Sequence, residues 1–461
     1  MNMLDHYRAE FLSHEAHFPE GAGRRKRYDA FDQFAEIGFP SFRQGTWKYT
    51  PVDTITRRLY KSWDGRPQSG KHQDFADLQR SDFAAFYPSD PDSHCLVFLN
   101  GCHVRRLSRL GKLPAGVIVG SLADGQGASS EVLREHLDRQ VAADPSAGFA
   151  ALNSAFWTDG ALIHLTPGAV IDAPIHLLFL STLDDERIIT HPRVLIVAEE
   201  NSAVDVVEHF GCATGAHYFT NAVTEISLGI NAGVRHCKIQ NEAEHAFHVA
   251  MLRVHQARDS RFASHSVSVG GKLARNDIDA VIGAQGGECL LDGLYMASGR
   301  QHVDYHTRIE HRKSHGASRQ KYKGVLAGKS HGVFNGKVHV HPDAQHTDAR
   351  QRNENLLLSP DAQVDTEPRL DIFADDVQCA HGATVGQIDK NMIFYLRSRG
   401  IAPDMAMNLL TYGFVNEILD CAPVESIKPR LGELVLAKLP NIENIDMNGE
   451  MREPPPPGEL P

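Results

Sequence analysis

Small-residue turns that lead into strands recur through the middle of this chain, at Asn201-Ser202-Ala203-Val204, Asn231-Ala232-Gly233-Val234 and Asp259-Ser260-Arg261-Phe262. The first two begin 30 residues apart and the third begins 28 further on. A period of this size matches one coil of a parallel β-helix, in which each coil buries its inward residues on its neighbours. A looser echo links Pro167-Gly168-Ala169-Val170-Ile171-Asp172 to Pro360-Asp361-Ala362-Gln363-Val364-Asp365.

The surrounding texture agrees. From about Cys95 the chain consists of short apolar runs, such as Leu96 to Leu99, Ile175 to Leu180 and Val194 to Ala198, separated by Gly, Asn, Asp and Pro. Val303, Tyr305, Thr307 and Ile309 alternate with His302, Asp304, His306 and Arg308, the two-residue period of a strand. Long helical patterns are few here, Ser129 to Val141 being the clearest, which disfavours a βαβ fold. The expected fold is an all-β core, a parallel β-helix, with α-helical N-terminal and C-terminal regions.

Three regions follow. Residues 1–94 read as mainly helical: Tyr28, Phe31, Phe34 and Ile37 lie on one face of a helix stopped by Gly38-Phe39-Pro40. Arg24-Arg25-Lys26-Arg27 reads as that helix's solvated side, Thr46-Trp47-Lys48-Tyr49-Thr50-Pro51 as an aromatic packing anchor, and Pro67 to Asp92 as a polar linker. Residues 95–388 form the β-helix. Residues 389–461 read as a C-terminal helical region that ends in a disordered tail with Pro454-Pro455-Pro456-Pro457. Its second helix, opened by Pro403, carries an apolar stripe of Met407, Leu410, Phe414, Val415, Ile418 and Leu419, suited to capping the last coil or docking a partner.

Composition narrows the function classes. A net charge of −11 argues against a nucleic-acid partner, because such binders need a basic stripe. No run approaches the roughly 20 apolar residues of a membrane span, and Met1 to Phe18 carries Asp5, Arg8, Glu10 and Glu15 where an export signal would be apolar. The expected location is the cytoplasm. Seven cysteines without a CxxC pair point to reduced thiols.

Chemistry concentrates at Gln378 to Gly386. On a strand, Cys379 and His381 point to the same side, giving a thiol and an imidazole on one face. Such a pair suits zinc, iron or an iron-sulfur cluster better than magnesium or calcium. Two ligands do not complete a site, so others must come from elsewhere in the chain or from a partner. The same parity also places both beside Val377 and Val385, so the face could equally be the buried side of a strand. The 26 histidines, many between His236 and His346, lack a fixed metal-ligand spacing. Gly324-Val325-Leu326-Ala327-Gly328-Lys329-Ser330 falls one residue short of a phosphate loop and runs into a turn and strand where the nucleotide motif needs a helix. This chain is therefore expected to bind no nucleotide and to hydrolyse no ATP.

Four stretches carry a resemblance: Asn335-Gly336-Lys337-Val338, Asn353-Glu354-Asn355-Leu356-Leu357-Leu358-Ser359, Cys379 to Gly386, and Phe394-Tyr395-Leu396-Arg397-Ser398-Arg399-Gly400-Ile401. They resemble the SufB/SufD family of iron-sulfur cluster assembly proteins, densely from about Phe334 to Phe414 and more loosely from Asn153. Trp47-Lys48-Tyr49-Thr50 is the only recognisable N-terminal match. Asn353 stands where the SufB branch carries a cluster-forming cysteine, and Gly382 stands where it carries a glutamate, so the chain is similar to the SufD branch. The resemblance implies a right-handed parallel β-helix and a non-catalytic scaffold in a complex with a SufB-like paralogue and the ABC ATPase SufC. It also implies that His381, with Cys379 beside it, contributes to a transient iron or iron-sulfur site at the SufB interface, and that residues 389–461 dock SufC. The lone chain could also form a homodimer. The residues themselves leave two alternatives open, a carbohydrate-active β-helix enzyme and a self-contained metal-binding protein.

Overall fold

In the computed structural model of the chain, which describes residues 3–15, 22–42, 45–63, 78–124, 128–139, 148–182, 188–212 and 217–439, each repeat is one coil of a parallel β-solenoid. Every coil gives one strand to each of two sheets. The first sheet stacks Tyr218–Leu228, Phe247–Gln256, Leu273–Ile282, His302–His311, His331–Val340 and Gln363–Ile372 in parallel. The second stacks Ala203–Cys212, Gly233–Asn241, Arg261–Ser268, Glu288–Ala297, Ala317–Leu326, Asp348–Leu357 and Gln378–Gly386. Strands Gly160–Leu165 and Arg193–Ala198 extend the first sheet, and Ile175–Ser181 and His94–Leu99 extend the second.

The repeat has a backbone cause. Asn201, Asn231, Asp259, Gly286, His315 and His346 all have φ between 54° and 76°, the left-handed region that Gly, Asn and Asp tolerate best. In that conformation each amide points at the next coil: Asn201 donates to the Ile230 carbonyl, Asn231 to Arg258, Asp259 to Gln285 and His315 to Gln345, each at 2.9 Å. The corner is thus a hydrogen-bonded ladder, and the polar turn residues mark its rungs.

Inside the coils, Ile163, Ile196, Ile226, Val254, Ala280, Ile309 and Val338 lie in register as one aliphatic column. All seven are buried, and each full-sized side chain contributes about 1.5–3 kcal/mol by leaving water. Beside this column the lumen holds a polar cluster. Lys238 Nζ donates to Asn276 Oδ1 at 2.6 Å and lies 2.9 Å from His248 Nε2, while Thr224 donates to Glu208 and Thr220 to Glu242. Burial pushes the Lys238 ammonium down to about 8, against the pull of Glu208 and Glu242.

The N-terminal helices Met3–His14 and Ala22–Ile37 pack with Gly148–Phe156 against the first sheet's early strands, through Tyr7, Phe11, Phe31, Phe34 and Phe156. The aromatic anchor is real. Trp47, 6% exposed, lies under the Arg275 guanidinium at 3.8 Å, and Arg275 donates to the Thr46 carbonyl at 2.9 Å. Arg275 also pairs with Asp304, which accepts a hydrogen bond from Thr50. One residue of the basic run departs from the expected solvated face. Arg27 is buried, stacks on Trp157 at 4.1 Å and donates to the carbonyls of Ala155 and Trp157. The helix expected over Ser129 to Val141 is seen as Ala128–His136. The Pro-rich tail and residues 67–77 lie outside the described residues, but the rest of the expected polar linker is packed structure: a 3-10 helix, Arg80–Phe86, buries Phe83 and, with Leu78, joins an apolar cluster with Val97 and Leu178.

The C-terminal helices do not cap the last coil. Pro403–Leu419 and Lys428–Leu436 lie on the outer face of the second sheet, where Val415, Ile418, Leu431 and Val435 cover Val207, Cys237, Ile239, Val267 and Leu294. Lys323, almost wholly buried, fixes the contact by donating to Glu417 at 2.6 Å and to the Phe414 carbonyl at 3.0 Å. These helices complete a core cluster, so removing residues 389–461 would strip apolar surface from the β-core as well as any docking element.

Candidate functional site

The solenoid ends open. Among the described residues no further strand pairs with Gln363–Ile372 in the first sheet or with Gln378–Gly386 in the second, so both sheets finish in unpaired edges. The chain leaves the last coil at Gly386, and Asp389 caps the next helix, Lys390–Ser398, by accepting a hydrogen bond from the Asn391 amide at 2.8 Å.

Cys379 and His381 sit on that last strand. Register aligns Cys379 with Ala349 and His381 with Gln351, both buried inward residues of the preceding coil. The expected parity therefore holds: both side chains belong to the inward row. Their burial does not follow from it, because no later coil covers them. His381 is exposed and Cys379 is half-buried against Val338, Ala344, Ala349 and Ala374. Burial raises the Cys379 thiol above its ordinary range, partly offset by a hydrogen bond with the Ala349 backbone. The site is thus an accessible imidazole beside a protonated thiol on a bare edge, two ligands short of a closed zinc or cluster site. Among the described residues no three His, Cys, Asp or Glu side chains converge on a common ion.

The layer beneath is plugged by neutral polar groups. Asn353 is buried; its amide lies 3.3 Å from the Tyr295 hydroxyl and its carbonyl accepts from the Asn355 amide at 2.6 Å. Gln351 donates to Gln320, and an added Cβ on Gly336 would meet the Gln351 amide nitrogen at 2.0 Å. Gly336, Asn353 and Asn355 therefore shape the lumen under the last coil, Gly336 being needed because the Gln351 side chain crosses it, whereas Asn335 and Glu354 face outward and pair with Glu367 and with Lys323 and Arg352.

Around the open edge the surface is apolar. Phe394 is 72% exposed, Tyr395 57% and Met392 55%; Phe373 and Val385 are exposed as well. Helix Lys390–Ser398 buries no residue at all. Met392 and Tyr395 are exposed and Ile393 and Leu396 are only half-buried. Patches of this kind mark interaction sites more often than accidents. The remaining histidines largely do structural work: His176, His191, His209 and His265 are buried, and burial drives each toward the neutral form. Gly324 to Ser330 is a strand end and turn, with φ of 67° at Gly328 and strand His331–Val340 following, so no helix N-terminus receives a phosphate there.

Comparison with known proteins covers nearly the whole chain. Residues 180–414 match the family model described as SUF system FeS cluster assembly, SufBD core domain, and residues 7–177 match the SufBD protein N-terminal region. The chain is 33% identical over 418 residues to an iron-sulfur cluster assembly SufBD family protein of Synechocystis, spanning 89% of this chain and 90% of that one. It is 30% identical over 430 residues to the iron-sulfur cluster assembly protein SufD of Escherichia coli, spanning 92% and 96%. The SufD protein of Bacillus subtilis is 27% identical over 296 residues, spanning 63% of this chain and 66% of that one.

Proposed function

Because the chain belongs to the SufBD family of iron-sulfur cluster assembly proteins, we propose that its open last coil docks a SufB-like paralogue and that it serves there as a non-catalytic scaffold. The observation that carries this reading is the pair of unpaired sheet edges bearing Cys379 and His381. Bare parallel edges are a liability in a lone protein and a ready template for pairing. A partner coil would cover them, and it would bring the ligands that this chain lacks. The iron or iron-sulfur cluster is then cargo, held transiently between His381 and groups of the paralogue.

The exposed helix Lys390–Ser398 extends the same surface, and in this reading it contributes to docking the ATPase SufC, which supplies the ATP chemistry absent from Gly324 to Ser330. Because deleting the whole C-terminal region would also uncover Val207, Val267 and Leu294, the informative change is local. Phe394→Asp should leave folding intact, since the side chain is largely exposed, and weaken SufC binding at least tenfold, the loss of about 1.4 kcal/mol. Equal affinity of the two proteins by calorimetry would refute this assignment.

Cys379 reports on the cover itself. In the lone chain, site-resolved maleimide labelling should proceed at a rate that rises with pH, because the raised thiol pKa keeps the thiolate scarce near neutrality. Addition of the SufB-like paralogue should suppress the rate at least tenfold. A non-hydrolysable ATP analogue, acting through SufC, should restore it if nucleotide-driven closure opens the coil contact. Labelling that ignores the paralogue would contradict the docking surface.

A further inference from the structure

A large cleft among the described residues shares no lining residue with the last coil. It occupies about 940 Å³ on the outer face of the first sheet, below a wall formed by Trp47 and Phe149. Along its floor runs the in-register row Arg253, Asp279, Arg308 and Lys337. Its size is that of a site for a cofactor-sized molecule.

The charges in this cleft are not evenly matched. Arg253 is answered by Asp277 at 3.3 Å and Lys337 by Asp371 at 2.7 Å. At the other end one carboxylate, Glu310, accepts from Arg308 at 3.0 Å, from Arg312 at 3.1 Å and from His341 at 2.6 Å, and a second lining carboxylate, Glu199, lies 2.6 Å from His164. Arg308 also reaches Asp279, but only at 3.4 Å. Arg139, another lining residue, makes no ion pair among the described residues. His255 lies within the field of both Arg312 and Arg139: burial first, and then these two guanidiniums, depress its affinity for a proton. His136, also lining the cleft, is depressed by burial and by Arg139, with Glu135 and Glu199 opposing. Two guanidiniums and an imidazole therefore face one region of the cleft, where Glu310 and Glu199 are both engaged by other partners and Arg139 has no ion pair among the described residues.

We propose that the Arg139, His255 and Arg312 end of this cleft binds a small polyanion of the phosphate class, with the rest of the cleft accommodating the body of a phosphate or diphosphate ester. Planar guanidinium forks suit bidentate contact with phosphate oxygens. Such an anion would give Arg139 the acceptor it lacks and relieve the sharing of Glu310 among Arg308, Arg312 and His341. The site would be independent of the coil edge, so it stands or falls apart from the assembly reading.

The probe is inorganic pyrophosphate, titrated calorimetrically into the full-length chain at low salt. The expected result is saturable binding of one pyrophosphate per chain, weakened at least tenfold by Arg139→Ala and by Arg312→Ala. Arg319→Ala, on the outer face of the second sheet, should bind as the parent does. Arg139 is exposed and makes no ion pair, so its removal should leave the thermal melt unchanged and the comparison clean. NMR titration of the His255 ring should also show its pKa rising when pyrophosphate is present, because the anion offsets the two guanidiniums. Absence of binding, or binding that Arg139→Ala and Arg312→Ala leave unchanged, would overturn the proposal.

Discussion

Replacing His381 with alanine should cut cluster formation in the assembled complex by about ten- to a hundredfold, the usual effect of losing one ligand or its support at a metal site. It should alter folding stability by less than about 0.5 kcal/mol, as expected for an exposed side chain away from caps and ion pairs. The separation of the two effects is what the structure adds. Had His381 been buried as its strand parity implied, the same change would have left a cavity and confounded assembly with folding. Cluster yield is read from visible absorbance of complexes of matched composition, and stability from urea midpoints of the lone chain. Normal yield would remove His381 from the proposed site. Cys379→Ala should be milder, because its thiol is held protonated and is a weaker ligand in that form.

The second large effect concerns the joint between the N-terminal region and the coils. Asp304 and Arg275 are both fully buried and paired; Thr50 donates to Asp304, and Trp47 lies against Arg275. Asp304→Ala leaves the guanidinium buried without its carboxylate, a change that costs about 3–5 kcal/mol. The urea midpoint should fall accordingly, and proteolysis should begin within residues 45–63. The pH dependence has a definite sign. Burial alone would raise the Asp304 carboxyl, but Arg275, His306 and His302 outweigh it and hold it well below the carboxylate range. A depressed folded pKa stabilises the protein above the unfolded value of about 4 and loses that contribution as pH falls below it. Asp304→Asn should therefore narrow the gap between stabilities at pH 7 and pH 3. An unchanged midpoint in Asp304→Ala would show that the joint does not depend on this pair.

The same residues show how far the sequence could be read. Asn201, Asn231 and Asp259 disclosed the coil period because polar residues with left-handed φ form its corners. Gly286, His315 and His346 occupy the same rung with unlike side chains, so the later coils left no comparable trace. Trp47 was recognisable as an anchor by type alone, whereas its partner Arg275 lies more than 200 residues away and carried no mark of burial. Arg27 misled for the same reason: its acceptors, Ala155 and Trp157, are 128 and 130 residues distant. At the site, alternation placed Cys379 and His381 on one face, but their exposure depends on a coil that is not there. Helices Lys390–Ser398 and Pro403–Leu419 both carry apolar side chains, Met392, Ile393, Tyr395 and Leu396 on the one and Val415, Ile418 and Leu419 on the other. One is bare and the other covers the second sheet, a difference set by which surface each helix can reach.

The central claim is that the open coil is an interface within an iron-sulfur assembly complex. Its most direct test is native mass spectrometry of the tagged chain purified gently from its own cells. The expected spectrum is that of a complex containing a SufB-like paralogue and an ABC ATPase, with the lone chain holding no stoichiometric metal. A chain recovered without either partner, and carrying a full complement of metal by itself, would contradict it.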